Sequence, residues 1–161
     1  MEKNSYITGK QTGQQGPSPV SRKEVEMSIY LERAKQLRAI VTPHYNCAQA
    51  VLLPFAQDFG MTEEEVMRLA VHFGAGMKMG SVCGAVTGGL MALGVAGLED
   101  AAVANAFCRK IRENHEGTLL CKDLLRKNAE SGGEKKPHCD AMVYEAVEAV
   151  EEILRENGKI S

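Results

Sequence analysis

Small residues recur at every fourth position through one uncharged segment, Met79–Leu98, and this spacing constrains the fold more than any other feature. The recurring residues are Gly80, Gly84, Gly88, Ala92 and Ala96. In an α-helix these positions lie on one face, and a face without large side chains lets another backbone approach closely. The segment therefore predicts a Gly-rich helix at the centre of a helical fold.

A transmembrane helix is the alternative interpretation, because Met79–Leu98 contains 20 residues and no charge. Glycine at this density is poor material for membrane insertion, and the sequence has no second span of this kind. We therefore expect a buried helix and no membrane insertion. The small-residue face could serve a homodimer as easily as a contact within the chain.

The rest of the chain also predicts helices, because its apolar residues recur with a period near 3.6 from Ser21 onward and no strand-like alternation appears. Caps, glycines and prolines give the approximate limits. We predict helices over Ser21–Val41, from Asn46 to Gly60 with Pro54 inside, from the Thr62–Glu65 capping box to Gly74, over Ser81–Ala96, over Glu99–Glu116, from Thr118, and from about Pro137. The predicted fold is an all-α, single-domain bundle of about six or seven helices over residues 20–161.

The first 19 residues are polar and rich in Gly, Gln and Ser, which is typical of a disordered tail. They include no apolar segment that resembles a signal peptide, so we expect a cytoplasmic protein. The 19 basic and 21 acidic residues form no block of like charge, and Trp is absent, so we expect no nucleic-acid partner. In a reducing compartment the five cysteines should be reduced, metal-bound or catalytic.

Four of these cysteines fall in the first turn of a predicted helix, and they are Cys47, Cys83, Cys121 and Cys139. Free backbone N–H groups and the positive end of the helix dipole stabilise a thiolate at that place. A thiolate is the form required for nucleophilic redox chemistry and for metal ligation. Inert buried thiols are the alternative. Cys108 lies in the middle of a predicted helix, where a simple core role is expected.

Two histidines and two glycines accompany these cysteines in the sequence. His138 adjoins Cys139, and His44 lies three residues before Cys47, so each histidine could be a ligand, a proton donor or an exposed residue near a helix end. Gly84 and Gly88 could admit close contact with a bound cofactor, or with another helix alone.

The residues Cys83-Gly84-Ala85-Val86-Thr87-Gly88 resemble the central motif of the C_GCAxxG_C_C family of redox-active proteins. This chain reads Cys-Gly-Ala, whereas the family label has the order Gly-Cys-Ala. The other characteristic cysteines correspond to Cys47, Cys121 and Cys139, and the likeness extends over about His44 to Leu154. Cys108 has no counterpart. Related modules occur in split-Soret-type cytochromes, and this chain has no C-x-x-C-H site for covalent haem.

The resemblance implies redox activity, for which we consider two mechanisms. In the first, Cys47, Cys83, Cys121 and Cys139 bind an iron–sulfur cluster that exchanges electrons with a redox partner, and zinc could take the same ligands. In the second, the protein is an oxidoreductase or relay in which Cys83 is the nucleophile, because its glycines leave it accessible, and Cys47 or Cys139 resolves the mixed disulfide.

Overall fold

The computed structural model describes residues 28–161, and within this range it is an all-α bundle. Its seven α-helices are α1 (Ile29–Ala39), α2 (Cys47–Ala56), α3 (Glu63–Ala70), α4 (Gly84–Val95), α5 (Ala101–Glu113), α6 (Cys121–Glu130) and α7 (Lys135–Glu156). The only pairing of extended backbone in residues 28–161 is a single bridge between Val82 and Leu120. The predicted fold class is therefore confirmed. The predicted tail and the beginning of the first predicted helix lie outside the described residues.

The centre of the bundle is the pair α2 and α4, which pack directly against each other. Every residue of α2 from Ala48 to Ala56 is buried, and most of α4 is buried as well. Helix α7 contacts both of them, α1 covers α2 and α7, and α5 covers α4 and α7. The Gly-rich helix is thus central, as predicted. No helix within residues 28–161 has both the length and the apolar character needed to span a membrane.

Two capping boxes define the beginnings of α2 and α3, and both caps were predicted correctly. At α2, the Asn46 side chain accepts a hydrogen bond from the Gln49 N–H, and the Gln49 side chain accepts one from the Asn46 N–H. Thr62 and Glu65 do the same at α3. Each box satisfies backbone donors that the first turn leaves without a partner.

Several predicted limits differ from the structure. Helix α3 ends at Ala70, short of the predicted loop at Gly74. Helix α4 begins at Gly84 instead of Ser81, and α6 begins at Cys121 instead of Thr118, because the residues before both helices form the bridge between Val82 and Leu120. Helix α5 is shorter than predicted and begins after the cap Asp100, while α7 begins at Lys135, before Pro137. Proline fits this place because the N–H groups of the first turn need no intrahelical partner.

Candidate functional site

Four cysteines from four helices line a single cavity of about 500 Å³. Cys47 is the first residue of α2, Cys83 is the residue that caps α4, and Cys121 is the first residue of α6. Cys139 lies in α7. Cys108 is in mid-helix on α5, as predicted, and is not among the residues that line the cavity. The four cysteines that line the cavity are therefore the four that match the family motif, and Cys108 is outside both sets.

The prediction that all four cysteines lie in a first turn is correct for Cys47 and Cys121. Cys83 caps α4 and so lies directly before its first turn, and the prediction is wrong for Cys139. Because α7 begins at Lys135, Cys139 is already in its second turn. A thiolate at Cys139 must therefore be stabilised by side chains more than by free N–H groups at the helix end.

Two glycines of α4 bring Cys83 close to Cys47 by allowing α4 to touch the backbone of α2. A Cβ on Gly84 would lie 2.8 Å from the Phe73 carbonyl oxygen and 3.1 Å from the Cys47 Cβ. On Gly88 it would lie 2.6 Å from the Ala48 carbonyl oxygen. Gly88 thus belongs to the contact between helices, whereas Gly84 also lines the cavity. A cofactor contact at either glycine stays a prediction.

The bridge that precedes α4 and α6 holds Cys83 next to Cys121. The Cys83 N–H donates to the Leu119 carbonyl at 2.8 Å, and the Cys121 N–H donates to the Ser81 carbonyl at 2.6 Å. These two hydrogen bonds tie the beginnings of the helices together across the cavity wall. Both cysteine N–H groups are consequently engaged with carbonyls, and in α4 the N–H groups of Ala85 and Val86 face the Cys83 sulfur.

Cys47 and Cys139 are in direct contact, and the Cys47 thiol donates a hydrogen bond to the Cys139 sulfur. This hydrogen bond is the main reason that the pKa of Cys139 falls to about 7, against the opposing effect of burial. The Arg38 and Lys135 charges lower it further. The same hydrogen bond, together with burial, raises the pKa of Cys47. Of these two cysteines, Cys139 therefore loses its proton first, and Cys47 keeps its proton.

Cys83 was predicted to be an accessible nucleophile, but the structure buries it. Its side chain is only 7% exposed, and burial raises its thiol pKa to about 11, although the N–H groups of Ala85 and Val86 act in the opposite direction. The expectation of accessibility is therefore wrong, because α4 packs against α2 at the position where the glycines were expected to open space. Burial also raises the pKa of Cys121.

The cavity is lined by cations, and none of its described lining residues carries a carboxylate. The basic side chains are Arg38, Lys78, Lys135 and Lys136, and both candidate histidines, His44 and His138, also line the cavity. Burial, followed by the charge of His115, lowers the pKa of His138, which favours its neutral ring. These positive charges favour anionic thiolates, but they act against the burial that raises the pKa values of Cys47, Cys83 and Cys121.

Arg38 is a component of the site that sequence reasoning missed. Its Nε donates to Asp140 at 2.6 Å and its Nη1 donates to the Tyr45 carbonyl at 2.9 Å, while its side chain is almost completely buried. Asp140 lies 102 residues further along the chain, so no local pattern indicates this pair.

A left-handed turn beside Cys121 was also missed, since the sequence indicated only a glycine loop there. Ala75, Met77 and Lys78 have φ values of 52°, 58° and 62°. Left-handed backbone costs roughly 1–2 kcal/mol for each such residue. A Cβ on Gly76 would lie 2.8 Å from the Cys121 Cβ, so this strained turn packs directly on the cysteine. Strain of this kind is commonly retained at functional sites.

Within residues 28–161, no three histidine, cysteine or carboxylate side chains are grouped closely enough to hold a single metal ion. The four sulfur atoms instead line the wall of a cavity. Four cysteines are a donor set of the type that iron–sulfur clusters use, so the residues of this cavity fit such a group by their chemistry.

Comparison with known families agrees with this geometry. No curated protein and no solved structure that was compared with the chain matches it. A family profile described as "Putative redox-active protein (C_GCAxxG_C_C)" matches residues 45–153, which is more than half of the chain and includes all four cysteines of the cavity. The chain therefore belongs to the C_GCAxxG_C_C family.

Proposed function

We propose that Cys47, Cys83, Cys121 and Cys139 bind an iron–sulfur cluster and that the protein transfers electrons to or from a redox partner. The observation that carries the proposal is the convergence of these four thiols, from four helices, on one cavity that excludes Cys108. Four cysteine thiolates are the usual ligand set of such clusters. A bound cluster would supply one-electron transfer.

The chain's own residues suit this role in two ways. The cations on the cavity wall favour the deprotonated thiols that ligation requires. The contact between α2 and α4, together with the bridge between Val82 and Leu120, holds Cys47, Cys83 and Cys121 in place before anything binds. A site that is already ordered loses little conformational entropy on binding.

Metal and sulfide analysis of protein purified without oxygen tests the proposal, together with an absorbance spectrum. Visible absorption with matching amounts of iron and sulfide would support a cluster. Zinc in place of iron, or colourless protein without metal, would contradict it. Single Cys→Ser variants add a matched control, because loss of any of the four cavity cysteines should reduce the iron content whereas Cys108→Ser should leave it unchanged.

The second candidate is a thiol–disulfide oxidoreductase, and the contact between Cys47 and Cys139 favours it specifically. In this reaction the Cys139 thiolate attacks a substrate disulfide and releases one substrate thiolate. The Cys47 sulfur then attacks Cys139, forms the Cys47–Cys139 disulfide and releases the second substrate thiolate, which takes the Cys47 proton. The substrate is reduced by two electrons and the protein is oxidised by two.

The nucleophile in this candidate is Cys139, in place of the predicted Cys83, because its pKa is lower and its side chain more exposed. The two candidates differ in their response to substitution. A relay requires Cys47 and Cys139 but tolerates Cys83→Ser and Cys121→Ser, whereas a cluster is weakened by loss of any of the four.

A further inference from the structure

One guanidinium connects the two chain segments that carry Cys47 and Cys139. Nη1 of Arg38 donates to the carbonyl of Tyr45, which lies two residues before Cys47, and Nε donates to the carboxylate of Asp140, which follows Cys139 directly. The Lys136 amine completes the arrangement by donating to Asp140 at 2.9 Å and to the Arg38 carbonyl at 3.1 Å.

Arg38 is also the only buried cation among the described residues that line the cysteine cavity. Its residue exposure is 8%, whereas Lys78, Lys135 and Lys136 are all exposed. Solvent screens the exposed charges strongly, but a buried charge acts on its neighbours through a medium of lower dielectric constant. Arg38 should therefore stabilise negative charge on the cysteine centre more than any of the three lysines does.

We propose that Arg38 is a positioning residue that holds Cys47 and Cys139 in register and raises the reduction potential of the cysteine centre, and that Asp140 is the counter-charge that limits this rise. The proposal rests on the redox role proposed above, but it does not depend on which of the two candidate mechanisms operates.

The direction of the effect follows from charge alone. A bound cluster gains negative charge when it accepts an electron. A Cys47–Cys139 disulfide that takes up two electrons and one proton becomes one thiol and one thiolate, which also adds one negative charge. A nearby cation stabilises the more negative, reduced form in either case, and a nearby anion destabilises it.

Substitutions on the two sides of this ion pair should consequently shift the potential in opposite directions. Arg38→Met removes the cation and should make reduction about tenfold less favourable, which is about 30 mV lower for a two-electron couple and about 59 mV lower for a one-electron couple. Asp140→Asn removes the anion and should raise the potential by a similar factor. The double variant should lie between them, because both charges are gone.

If Arg38 had only a structural role, the result would differ. Arg38→Met and Asp140→Asn break the same ion pair, so both variants should then loosen the site and shift the reduction potential in the same direction. Arg38→Lys separates the two parts of the role further. It keeps the charge but loses the two-sided contact, so the potential should stay close to that of the wild type while the fraction of protein with an intact centre falls.

A matched control exists on the same helix. Arg33 donates to the Pro54 carbonyl at 2.9 Å and to Asp58 at 3.2 Å, so it also joins a carbonyl to a carboxylate, but it does not line the cavity. Arg33→Met and Asp58→Asn should leave the potential unchanged. A shift in these variants equal to that in the Arg38 and Asp140 variants would overturn the proposal.

The experiment is a redox titration of full-length wild-type and variant protein prepared without oxygen. It follows the visible spectrum if iron and sulfide are present, and otherwise the equilibrium of the cysteine disulfide with a dithiol buffer. The order Arg38→Met, wild type, Asp140→Asn, from lowest to highest potential, supports the proposal, and any other order overturns it. If Arg38→Met does not fold, Asp140→Asn must still raise the potential and Arg38→Lys must leave it near the wild-type value.

The outcome is distinguishable from failure of the proposed function. The expected order in a metal-free disulfide couple would contradict the cluster and support the role of Arg38. A bound cluster whose potential is the same in both variants as in the wild type would support the cluster and contradict the role of Arg38. Protein in which neither couple can be titrated would contradict both.

Discussion

The four cysteines form two pairs that are held in place by different forces. Cys47 and Cys83 lie where α2 and α4 touch, and their positions follow from backbone packing against glycine. Cys121 and Cys139 lie on α6 and α7, are more exposed than Cys83, and are held by a backbone bridge and by polar side chains. We call the first the inner pair and the second the outer pair.

This difference indicates a division of roles within one cavity. Close packing has little tolerance for added volume, so the position of the inner pair should respond less to the charge of the site than that of the outer pair. The outer pair depends on hydrogen bonds and charges, so its position and its chemistry should respond to pH and to polar substitutions. The predictions below test this comparison from the largest expected effect to the smallest.

Gly88→Ala should produce the largest effect, because the new methyl group would lie 2.6 Å from the Ala48 carbonyl oxygen. Backbone atoms cannot rotate away, so α2 and α4 must separate and move Cys47 away from Cys83. We expect a loss of about 1–3 kcal/mol in the free energy of unfolding. Urea denaturation would measure it.

Gly94→Ala is the control for this substitution, since Gly94 lies on the same helix and has no atom within 4 Å of the added methyl group. Alanine favours a helix over glycine, so this variant should gain about 0.5–1 kcal/mol. Equal losses in the two variants would show that α4 does not tolerate alanine for some reason other than its contact with α2.

Cys47→Ala should change the chemistry of the outer pair without adding volume. It removes the thiol that donates to Cys139, so the pKa of Cys139 should rise from about 7 toward the ordinary thiol value of about 8.5. In the reduced, metal-free wild type, alkylation of Cys139 by iodoacetamide should increase as the pH rises through 7, because the thiolate is the reactive form. The variant should need a higher pH.

Cys108→Ala is the matched control for this measurement, because Cys108 lies outside the cavity. Its alkylation profile for Cys139 should match that of the wild type. A profile that also stays unchanged in Cys47→Ala would mean that the hydrogen bond from Cys47 does not set the reactivity of Cys139, and would remove the main reason for assigning this residue as the nucleophile of a relay.

The helix beginning at Cys47 and the close helix contact at the glycines were predictable from sequence, whereas the burial of Cys83 and the contacts of the outer pair were not. Asn46 and the repeated glycines are local signals, and a local signal can indicate both a helix beginning and a close helix contact. The ion pair between Arg38 and Asp140 joins residues that are 102 positions apart, so only the folded chain shows it. The left-handed turn at Met77 contradicts ordinary backbone preference and is maintained by its surroundings.

The error at Cys139 has the same physical origin. A proline in the first turn of a helix gives no unique limit, because proline is tolerated at several positions there. The beginning of α7 at Lys135 depends on contacts that the sequence does not reveal. The four cysteines could therefore be identified as a set from sequence, while the pairing of Cys47 with Cys139 needed the structure.

Asn46→Ala should cost more stability than Thr62→Ala, although both residues cap a helix in the same way. Among residues 28–161, the Thr62 side chain makes hydrogen bonds only within its own capping box, so its loss should cost about 1 kcal/mol. The Asn46 side chain also donates to the carbonyls of Ala70 and Val71, so its loss should cost about 2 kcal/mol. Urea denaturation of both variants would check the order, and equal losses would mean that these added hydrogen bonds contribute nothing.

Thr118→Val should have the smallest effect, and it tests whether polar contacts hold Cys121, a member of the outer pair, in place. The Thr118 hydroxyl accepts a hydrogen bond from the Leu120 N–H at 3.2 Å and donates to Asp123 at 3.3 Å. Leu120 directly precedes Cys121, and Asp123 follows it by two residues. Valine keeps the shape but loses both contacts, so the free energy of unfolding should fall by about 0.5–1.5 kcal/mol.

Ser131→Ala, at the other end of α6, is the control for Thr118→Val, because its exposed hydroxyl donates only to the Lys127 carbonyl. It should change stability by less than about 0.5 kcal/mol. If Cys121 depends on polar contacts, Thr118→Val should also increase the rate at which iodoacetamide alkylates it, because the bridge to Ser81 opens more often. An unchanged rate would mean that packing beneath the left-handed turn holds Cys121 in place. Cys121 would then be held by packing, as the inner pair is, and not by polar contacts.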